Sequence, residues 1–462
     1  MRFRVKTNDL PFLTSVYNII NQPSCGAENN MEKIVVKGGV PLFGSVEISG
    51  MKNAALPIIF ACVLVRDKCI IENIPNVRDV AISFEILRGM GARINSISKN
   101  TYEIDCTDVE AGTSSCELVS RLRASYYLWG TEFGRFGYTK TGHPGGCNFA
   151  DRPVDQHIKG FEALGGKVKS VTDHVEIYRD GPAKGANIYF DVVTVGGTVN
   201  IMLASVLSEG VTVIENAARE PHIVDLANFL NRCGAKITGA GTEIIKVRGV
   251  KELHGCTHEI IPDMIEAGTF MIAAAATRGF VTVTNVIPKH MESLTAKLEE
   301  VGVDVVELDD AIRIDATKTL FKPTRVKTMP YPGFPTDMQP QMCVLLTQAE
   351  GESAITEGIY ETRFKYVDDL VRMGAEIKVD TRKAVISGGT ALRGAEVTAL
   401  DLRAGVAMVI AGLIADGETV ISNIYCIERG YDDVVGKLSS LGADISHITV
   451  PDEAEVKPCV CE

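Results

Sequence analysis

Residues 87–94 read Leu87-Arg88-Gly89-Met90-Gly91-Ala92-Arg93-Ile94, and this stretch decides the fold of the 462-residue chain. It joins the apolar end of a helix to a glycine, a small residue, a charge and a β-branched residue. The pattern recurs five more times, and its glycine at 91 is followed by glycines at 165, 234, 302, 374 and 442. Six copies at a spacing of 68–74 residues indicate an internally repeated architecture.

Each repeat also contains a strand and a strongly apolar helix. The strands end in Asn73, Asn216, Asn285 and Asn423 in four of the units, and their β-branched alternation is typical of strands. The apolar stretches of helical length are 54–65, 199–207, 268–276, 339–346 and 404–414. Helices that are apolar all round must be buried on every side. The glycine after the second, amphipathic helix predicts a left-handed helix cap. Six units of this kind predict an α/β fold of two similar lobes with three units each.

Bulk composition excludes several classes of protein. Hydrophobic residues make up 45% and charged residues 23%, as in a folded globular protein. A formal charge of −12 argues against a general nucleic-acid or membrane-surface binder. No stretch reaches the roughly 20 apolar residues of a membrane helix. The 12 scattered cysteines and the lack of a secretory signal predict free thiols in a reducing cytoplasm. The tail pair Cys459 and Cys461 has no nearby partner ligands for a metal.

One repeat carries an insertion. The distance from the end of the strand to the helix-stop glycine is 16–19 residues in five units, but 23 residues from Gly142 to Gly165. The extra residues belong to a glycine- and proline-rich segment that contains Cys147, with His143 before it and Arg152 after it. Nearby positive charge lowers the pKa of a thiol. An insertion confined to one unit favours a functional loop over an ordinary surface loop.

Polar residues stand where the buried helices begin. Helix N-termini have free N–H groups and partial positive charge, so Lys52, Arg123 and Arg403 at such positions predict sites for phosphate and carboxylate. Acidic or uncharged residues stand at the other starts, and these include Thr194 to Gly196, Asp263 with Glu266, Thr336 with Asp337, and Asp401. For the acidic residues, plain N-capping is an alternative that this pattern leaves open.

Together these motifs resemble the enolpyruvyl transferases over about residues 33 to 447. The resemblance rests on the following segments: Ser49-Gly50-Met51-Lys52-Asn53-Ala54-Ala55-Leu56-Pro57, Pro144-Gly145-Gly146-Cys147, Arg152-Pro153-Val154-Asp155, Glu215-Asn216-Ala217-Ala218-Arg219-Glu220-Pro221, Pro335-Thr336-Asp337-Met338-Gln339, Asp401-Leu402-Arg403-Ala404 and Glu428-Arg429-Gly430-Tyr431. Any one of these motifs alone would be weak, but their combination is specific.

The resemblance implies a two-lobed inside-out α/β barrel, with three α/β units per lobe around buried parallel helices. It further implies that residues 33–52 and 262–462 form one lobe and residues 53–261 the other, which carries the Cys147 loop. Residues 1–32 would then be an N-terminal extension.

The implied reaction transfers the enolpyruvyl group of phosphoenolpyruvate to the 3′-hydroxyl of UDP-N-acetylglucosamine and releases phosphate. The resemblance makes Asp337 the base near the sugar hydroxyl and Cys147 a loop thiol that forms an adduct with phosphoenolpyruvate or donates a proton. It assigns the phosphate and carboxylate contacts to Lys52, Arg123, Arg152, Arg363, Arg403 and Arg429. Asp401 would orient Lys52.

For the nucleotide sugar, the resemblance implies contacts from Asn53, Pro153, Val154, Asp155, Gln156, Thr194, Val195, Gly196 and Ile359. It implies no metal, no cofactor and no partner beyond the two small-molecule substrates, and it leaves a homo-oligomer open. Two positions depart from the family pattern: Met264 stands where an Arg is common, and Val192 stands where a Lys is frequent. These departures bear on the affinity for the nucleotide and on the exact acceptor.

Three other interpretations compete with this one. The shikimate-pathway enolpyruvyl transferase shares the fold and the donor, but it lacks the cysteine loop and has Lys-Ser where this chain has Lys52-Asn53. A second alternative is that the chain is a paralogue that acts on another sugar nucleotide for a surface polysaccharide. A non-catalytic repeat protein or clamp-like scaffold would have no particular charged residues at the starts of its buried helices. The charged residues at 52, 123 and 403 contradict this interpretation.

Overall fold

The structure is a computed structural model, and it describes residues 30–145 and 152–451. The α-helices are α1 (Lys52–Ala61), α2 (Arg78–Gly89), α3 (Cys116–Arg121), α4 (Tyr127–Phe136), α5 (Asp155–Ala163), α6 (Val195–Ser205), α7 (Pro221–Arg232), α8 (Met264–Ala276), α9 (Glu292–Val301), α10 (Gln339–Leu346), α11 (Val367–Arg372), α12 (Leu402–Ile414), α13 (Tyr425–Glu428) and α14 (Val434–Ser440). Short 3₁₀ helices span Cys62–Leu64, Arg123–Tyr126, Pro288–His290 and Thr336–Met338.

The strands are β1 (Asn30–Lys37), β2 (Phe43–Glu47), β3 (Lys68–Glu72), β4 (Arg93–Ser98), β5 (Thr101–Asp105), β6 (Tyr138–Gly142), β7 (Lys167–Ser170), β8 (His174–Tyr178), β9 (Asn187–Tyr189), β10 (Val211–Glu215), β11 (Lys236–Thr238), β12 (Ile244–Arg248), β13 (Thr257–Glu259), β14 (Phe280–Thr284), β15 (Asp304–Glu307), β16 (Ala311–Asp315), β17 (Arg325–Lys327), β18 (Glu352–Thr356), β19 (Glu376–Asp380), β20 (Lys383–Ser387), β21 (Glu396–Thr398), β22 (Glu418–Ser422) and β23 (Asp444–Pro451). The first strand begins at Asn30, inside the segment 1–32 assigned to the N-terminal extension. It pairs with β23 over its whole length.

Within the described residues, the strands form six small sheets, one for each repeat. In five of them a short strand adds in parallel to an otherwise antiparallel sheet; these parallel pairs are β2 with β14, β9 with β10, β13 with β3, β17 with β18, and β21 with β22. The first and last strands of the repeat array meet in one sheet, since β1 lies between β22 and β23. The six-unit prediction is therefore confirmed.

Glycine closes the second helix of every unit as predicted. The glycines at 91, 165, 234, 302, 374 and 442 all have φ between 88° and 106°. This left-handed conformation is cheap for glycine and costly for residues with a Cβ. The repeat that is visible in the sequence is therefore the repeat of a single turn geometry.

The predicted apolar helices are buried, and they pack in two groups. Helices α8, α10 and α12 contact one another, and α4 contacts both α1 and α6. The buried apolar side chains form two clusters, one drawn from residues 34–48 and 265–445 and the other from residues 51–260. The sequence pattern did not indicate α4 as a buried helix, because Thr131 and Glu132 interrupt its apolar surface. No described helix has both the length and the apolar character to cross a bilayer.

The four strand-ending asparagines share one geometry. Asn73, Asn216, Asn285 and Asn423 all have φ between 54° and 57°. Each side-chain amide donates to a backbone carbonyl at the end of the neighbouring parallel strand; the acceptors are Ile260, Phe190, Ile48 and Ala399, at 2.6–2.9 Å. Each acceptor lies shortly before the start of a buried helix. The asparagines therefore fix the backbone that leads into the helix starts.

We expect Asn216→Ala to lower the free energy of unfolding by about 2–3 kcal/mol. Alanine is less favourable than asparagine in the left-handed region because it has no polar side chain to form a local hydrogen bond. The change also removes the 2.8 Å bond to Phe190 O. Asn216→Gly keeps the backbone conformation and should cost about 1 kcal/mol less. The measurement is urea unfolding followed by circular dichroism. Asn228→Ala on the exposed face of α7 is the control, and an equal loss in all three variants would contradict the assignment.

Candidate active site

The predicted helix starts are real structural positions. Helix α1 begins at Lys52, and the side chains of Thr194, Asp263 and Asp401 cap α6, α8 and α12 by accepting backbone N–H groups. The 3₁₀ turns Arg123–Tyr126 and Thr336–Met338 lead into α4 and α10. The carboxylates of Asp263 and Asp401 therefore act as N-caps, as the alternative interpretation of the sequence expected.

Asp337 is held by two arginines. Its Oδ2 lies 3.2 Å from Arg403 Nε and 3.1 Å from Arg403 Nη2, and its Oδ1 lies 3.5 Å from an Arg363 nitrogen. Both guanidiniums are buried, whereas the Asp337 side chain keeps 30% of its surface exposed. The carboxylate therefore remains accessible to a ligand while its two partners are fixed from behind.

The charge state of Asp337 follows from these neighbours. Burial acts to raise the pKa of its carboxyl, but the positive charges of Arg403 and Arg363 outweigh this effect. The charge of Lys52 adds to the same result, so the pKa lies below its ordinary value. Asp337 is therefore an ionised acceptor at neutral pH.

A second carboxylate, Asp79, joins two cations from distant parts of the chain. Lys52 Nζ lies 3.1 Å from Asp79 Oδ2, and Arg429 Nε lies 2.8 Å from Asp79 Oδ1. Less than a tenth of each of these three residues is exposed. Sequence reasoning missed Asp79, since an acidic residue in the first turn of an amphipathic helix is ordinary. Only the fold brings it between Lys52 and Arg429.

This geometry corrects one expectation. Sequence reasoning assigned the orientation of Lys52 to Asp401, whereas the carboxylate beside the Lys52 ammonium is that of Asp79. The Oδ1 atom of Asp401 instead accepts the backbone N–H groups of Arg403 and Ala404, at 2.8 and 3.0 Å. Asp401 therefore orients Arg403 through the start of α12.

Arg123 and Arg152, two further predicted cations, contact each other. Arg123 donates to the backbone carbonyl of Arg152, and its guanidinium lies 5.4 Å from the ring centre of Tyr126. Tyr360 lies between this pair and the Asp337 group. The Arg363 guanidinium is 5.9 Å from the centre of its ring. The charges of Asp337 and Arg152 both shift the pKa of its hydroxyl, in opposite directions. Burial, followed by the Asp337 charge, raises the pKa of Tyr360.

The predicted nucleotide contacts surround the starts of α5 and α6. Gly196 packs so closely that a Cβ there would lie 2.7 Å from the Tyr126 hydroxyl and 2.9 Å from the His157 ring. Burial, followed by the Arg123 charge, lowers the pKa of His157 to about 3, so its ring is neutral at pH 7. Thr194 Oγ1 accepts the N–H of Gly197. The start of α6 therefore packs directly against the Arg123–Tyr126 turn.

Gln156 is already engaged by protein groups. Its Nε2 donates to Asp155 Oδ2 at 2.7 Å and to Asp191 Oδ2 at 3.2 Å, and its Oε1 accepts the N–H of Asp191 at 3.0 Å. Lys159 Nζ also lies 2.9 Å from Asp191. The structure therefore shows Gln156 fixing the loop before α6, which includes the exposed Val192.

The remaining predicted residues have less distinct surroundings. Ile359 donates its N–H to Glu357 Oε1 at 2.8 Å, and Glu357 also accepts the hydroxyls of Thr328 and Thr336. Glu357 is a buried organiser of this loop that the sequence did not reveal. Asn53, Val154 and Val195 are half-buried, and Pro153 and Asp155 are exposed. Cys147 lies outside the described residues.

The two ion-pair groups define what the site can bind. Asp337 with Arg363 and Arg403, and Asp79 with Lys52 and Arg429, together hold four cationic side chains and two carboxylates. Arg403 Nη1 is buried and has no hydrogen-bond partner among the described residues. Such a donor, with an excess of positive charge, suits phosphate and carboxylate groups.

The family comparison agrees with this chemistry. The profile described as EPSP synthase (3-phosphoshikimate 1-carboxyvinyltransferase) matches residues 36–438. The chain is 54% identical over 416 residues to a UDP-N-acetylglucosamine 1-carboxyvinyltransferase of Clostridium botulinum, which covers 90% of this chain and 99% of that protein. It is 49% identical over 423 residues to UDP-N-acetylglucosamine 1-carboxyvinyltransferase 2 of Bacillus subtilis, which covers 92% of this chain and 98% of that protein.

Solved structures of lower identity share the fold. The enolpyruvyl transferase NikO from Streptomyces tendae superposes with a TM-score of 0.83 at 24% identity, over 91% of this chain and all of that one. EPSP synthase from Acinetobacter baumannii gives a TM-score of 0.73 at 18% identity, over 90% of this chain and all of that one. The two-lobed inside-out α/β architecture expected from the sequence is therefore confirmed.

We expect Asp79→Asn to lower the free energy of unfolding by about 3–5 kcal/mol, because it leaves the Lys52 ammonium and the Arg429 guanidinium buried without their shared counter-charge. Urea unfolding measures the loss. Asp108→Asn is the matched control, since it removes an ion pair with Arg93 in which both side chains are more than 60% exposed, and it should cost less than about 1 kcal/mol. Similar losses in the two variants would contradict this account.

Proposed function

We propose that this chain, which belongs to the EPSP synthase family, transfers the enolpyruvyl group of phosphoenolpyruvate to the 3′-hydroxyl of UDP-N-acetylglucosamine. Its similar relatives include the UDP-N-acetylglucosamine 1-carboxyvinyltransferases. Phosphate is the second product. The observation that carries the proposal is identity of about 50% to relatives of that name over nine-tenths of the chain. The buried cation cluster agrees with two anionic substrates.

The acceptor is the point at which the alternatives differ. Relatives named for UDP-N-acetylglucosamine are 48–54% identical to this chain, whereas the solved EPSP synthase is 18% identical. This difference favours a UDP-sugar over shikimate 3-phosphate. Met264, which departs from the family pattern, packs against both apolar clusters.

In the proposed mechanism, the cations hold the donor. Lys52, Arg403 and Arg429 bind the phosphate and carboxylate of phosphoenolpyruvate, with Arg363, Arg123 and Arg152 as further members of the set. Guanidinium groups suit these planar or tetrahedral anions because they can donate two parallel hydrogen bonds. Asp79 holds Lys52 and Arg429 in place, so it is a positioning residue.

Asp337 acts as the base. Its lowered pKa keeps it ionised, and its partly exposed carboxylate can accept the proton of the 3′-hydroxyl as the oxygen attacks C2 of phosphoenolpyruvate. C3 takes up a proton, a tetrahedral ketal forms, and loss of phosphate with a C3 proton restores the double bond. Cys147 is proposed as the thiol that donates the proton or forms an adduct with phosphoenolpyruvate.

The nucleotide end lies beside α5 and α6 in this proposal. Free N–H groups at the start of α6, together with Arg123, are suited to the diphosphate. The segment 153–156, Thr194 to Gly196 and Ile359 would contact the uridine and the sugar, and Asn53 would contact the sugar near the donor. Closure of the two proposed lobes, residues 33–52 with 262–462 and residues 53–261, would exclude water.

The proposed biological setting follows from the substrates. UDP-N-acetylglucosamine enolpyruvyl transfer commits a sugar nucleotide to peptidoglycan synthesis, and therefore to cell wall biogenesis, cell shape and division. We place the reaction in the cytoplasm, where both substrates are small soluble anions.

The function is tested by measuring phosphate release from phosphoenolpyruvate with a panel of acceptors. We expect release with UDP-N-acetylglucosamine and none with shikimate 3-phosphate. Pre-treatment with fosfomycin should stop the release and leave its adduct on Cys147, which peptide mapping locates. Release with shikimate 3-phosphate alone would refute the acceptor. An adduct on another cysteine, such as the exposed Cys116, would refute the role of Cys147.

We expect Asp337→Asn to lower kcat by about 10²–10⁴-fold, because the base is lost while the shape of the side chain is kept. Calorimetry should show that UDP-N-acetylglucosamine still binds. Asp309→Asn, in an exposed turn, is the matched control and should retain full activity. Loss of nucleotide binding in Asp337→Asn would show that the carboxylate binds the substrate rather than removes its proton.

A further inference from the structure

Five cysteines that the proposed reaction does not use lie near one another: Cys62, Cys69, Cys106, Cys233 and Cys256. Two of these sulfurs, Cys233 Sγ and Cys256 Sγ, lie 3.4 Å apart. Cys233 is buried, whereas Cys256 is partly exposed. One thiol of the pair can therefore meet a dissolved reagent, and the other lies directly behind it.

The backbone holds this pair from both sides. Cys233 is the C-terminal cap of α7, and its carbonyl accepts the N–H of His254 at 2.9 Å. Cys256 precedes β13, and its carbonyl accepts the N–H of Ile70 in β3 at 2.9 Å. A disulfide has sulfurs about 2.05 Å apart, so the two sulfurs need to approach by only about 1.4 Å.

We propose that Cys233 and Cys256 form a peroxide-sensitive dithiol, in which Cys256 is oxidised first and Cys233 then closes a reversible disulfide. The local charges favour this order. The hydrogen bond from the Cys233 thiol lowers the pKa of Cys256, and the nearby Arg232 guanidinium acts in the same direction. A thiolate is the reactive form of cysteine toward peroxide.

The chemistry balances with hydrogen peroxide as the oxidant. The Cys256 thiolate attacks one peroxide oxygen, the O–O bond breaks, and hydroxide leaves and takes up a proton to become water. Cys256 is then a sulfenic acid. The Cys233 sulfur attacks the Cys256 sulfur, the S–O bond breaks, and the departing oxygen leaves as a second water with the proton from the Cys233 thiol. Two thiols lose two electrons, and one peroxide gains them. A dithiol reductant reverses the change.

Cys69 is the competing partner. Its interaction with the Cys233 thiol lowers the pKa of Cys69 to about 4, but Cys69 is fully buried and cannot meet peroxide first. A Cys69–Cys233 disulfide would therefore need prior oxidation at Cys256 and exchange. Mapping of the linked peptides separates the two pairings.

The test uses the full-length protein treated with hydrogen peroxide, blocked with an alkylating reagent and digested with trypsin. Cleavage after Arg232, Lys236, Lys251 and Arg278 puts Cys233 in peptide 233–236 and Cys256 in peptide 252–278. We expect these two peptides to be the most abundant linked pair, lighter by two hydrogens than their sum, and to separate in dithiothreitol.

Two variants and a control sharpen the result. In Cys233→Ser, the link should be absent and peroxide should oxidise Cys256 further, to sulfinic acid. In Cys256→Ser, Cys233 should remain reduced. Cys116→Ser, at an exposed single thiol, should leave the link unchanged. The proposal is overturned if peroxide oxidises Cys116 while Cys233 and Cys256 stay alkylated, or if the main link joins Cys69. If a variant fails to fold, the wild-type peptide map alone decides. The mass readout is independent of the proposed enzymatic activity.

Discussion

The carboxylate of Asp79 is the group on which the site depends, because it lies between Lys52 and Arg429. Two like charges about 4 Å apart repel by about 4 kcal/mol at an effective dielectric constant of 20. These cations come from positions 52 and 429 of the chain, so their convergence must be compensated by a fixed negative charge. Asp337 has the corresponding role between Arg363 and Arg403. The site is thus built around two carboxylates, each of which is shared by two cations.

Much of the fold could be predicted from the sequence because a turn geometry repeats. The left-handed glycine at 91 has five counterparts, and each marks the end of an amphipathic helix. The all-apolar helices were also visible, since burial on every side removes the polar face. Short edge strands such as Asn187–Tyr189 and Thr257–Glu259 could not be predicted, because three residues are too few to show alternation. Their pairing depends on partners that lie far away in the sequence.

The site was predictable only where a residue stood at a recognisable structural position. Lys52 and Arg403 could be found because they stand at the starts of buried helices. Asp79 and Glu357 could not be found, because their partners come together only in the folded chain. The role expected of Asp401 went to Asp79 for the same reason. Local sequence indicates which charges are present, and the fold decides which of them meet.

The strand-ending asparagines have a consequence for how this architecture can change over evolution. Asn73 fixes the backbone at Ile260, three residues before the cap of α8, and Asp263 itself makes the cap. Neither contact uses the side chain of Met264, which opens the helix. At the start of α8, the residues that fix the backbone are thus different from the residue that opens the helix. Side chains at such starts can be exchanged, as Met264 illustrates, without displacing the backbone amides around them, so acceptor preference can diverge within an unchanged frame.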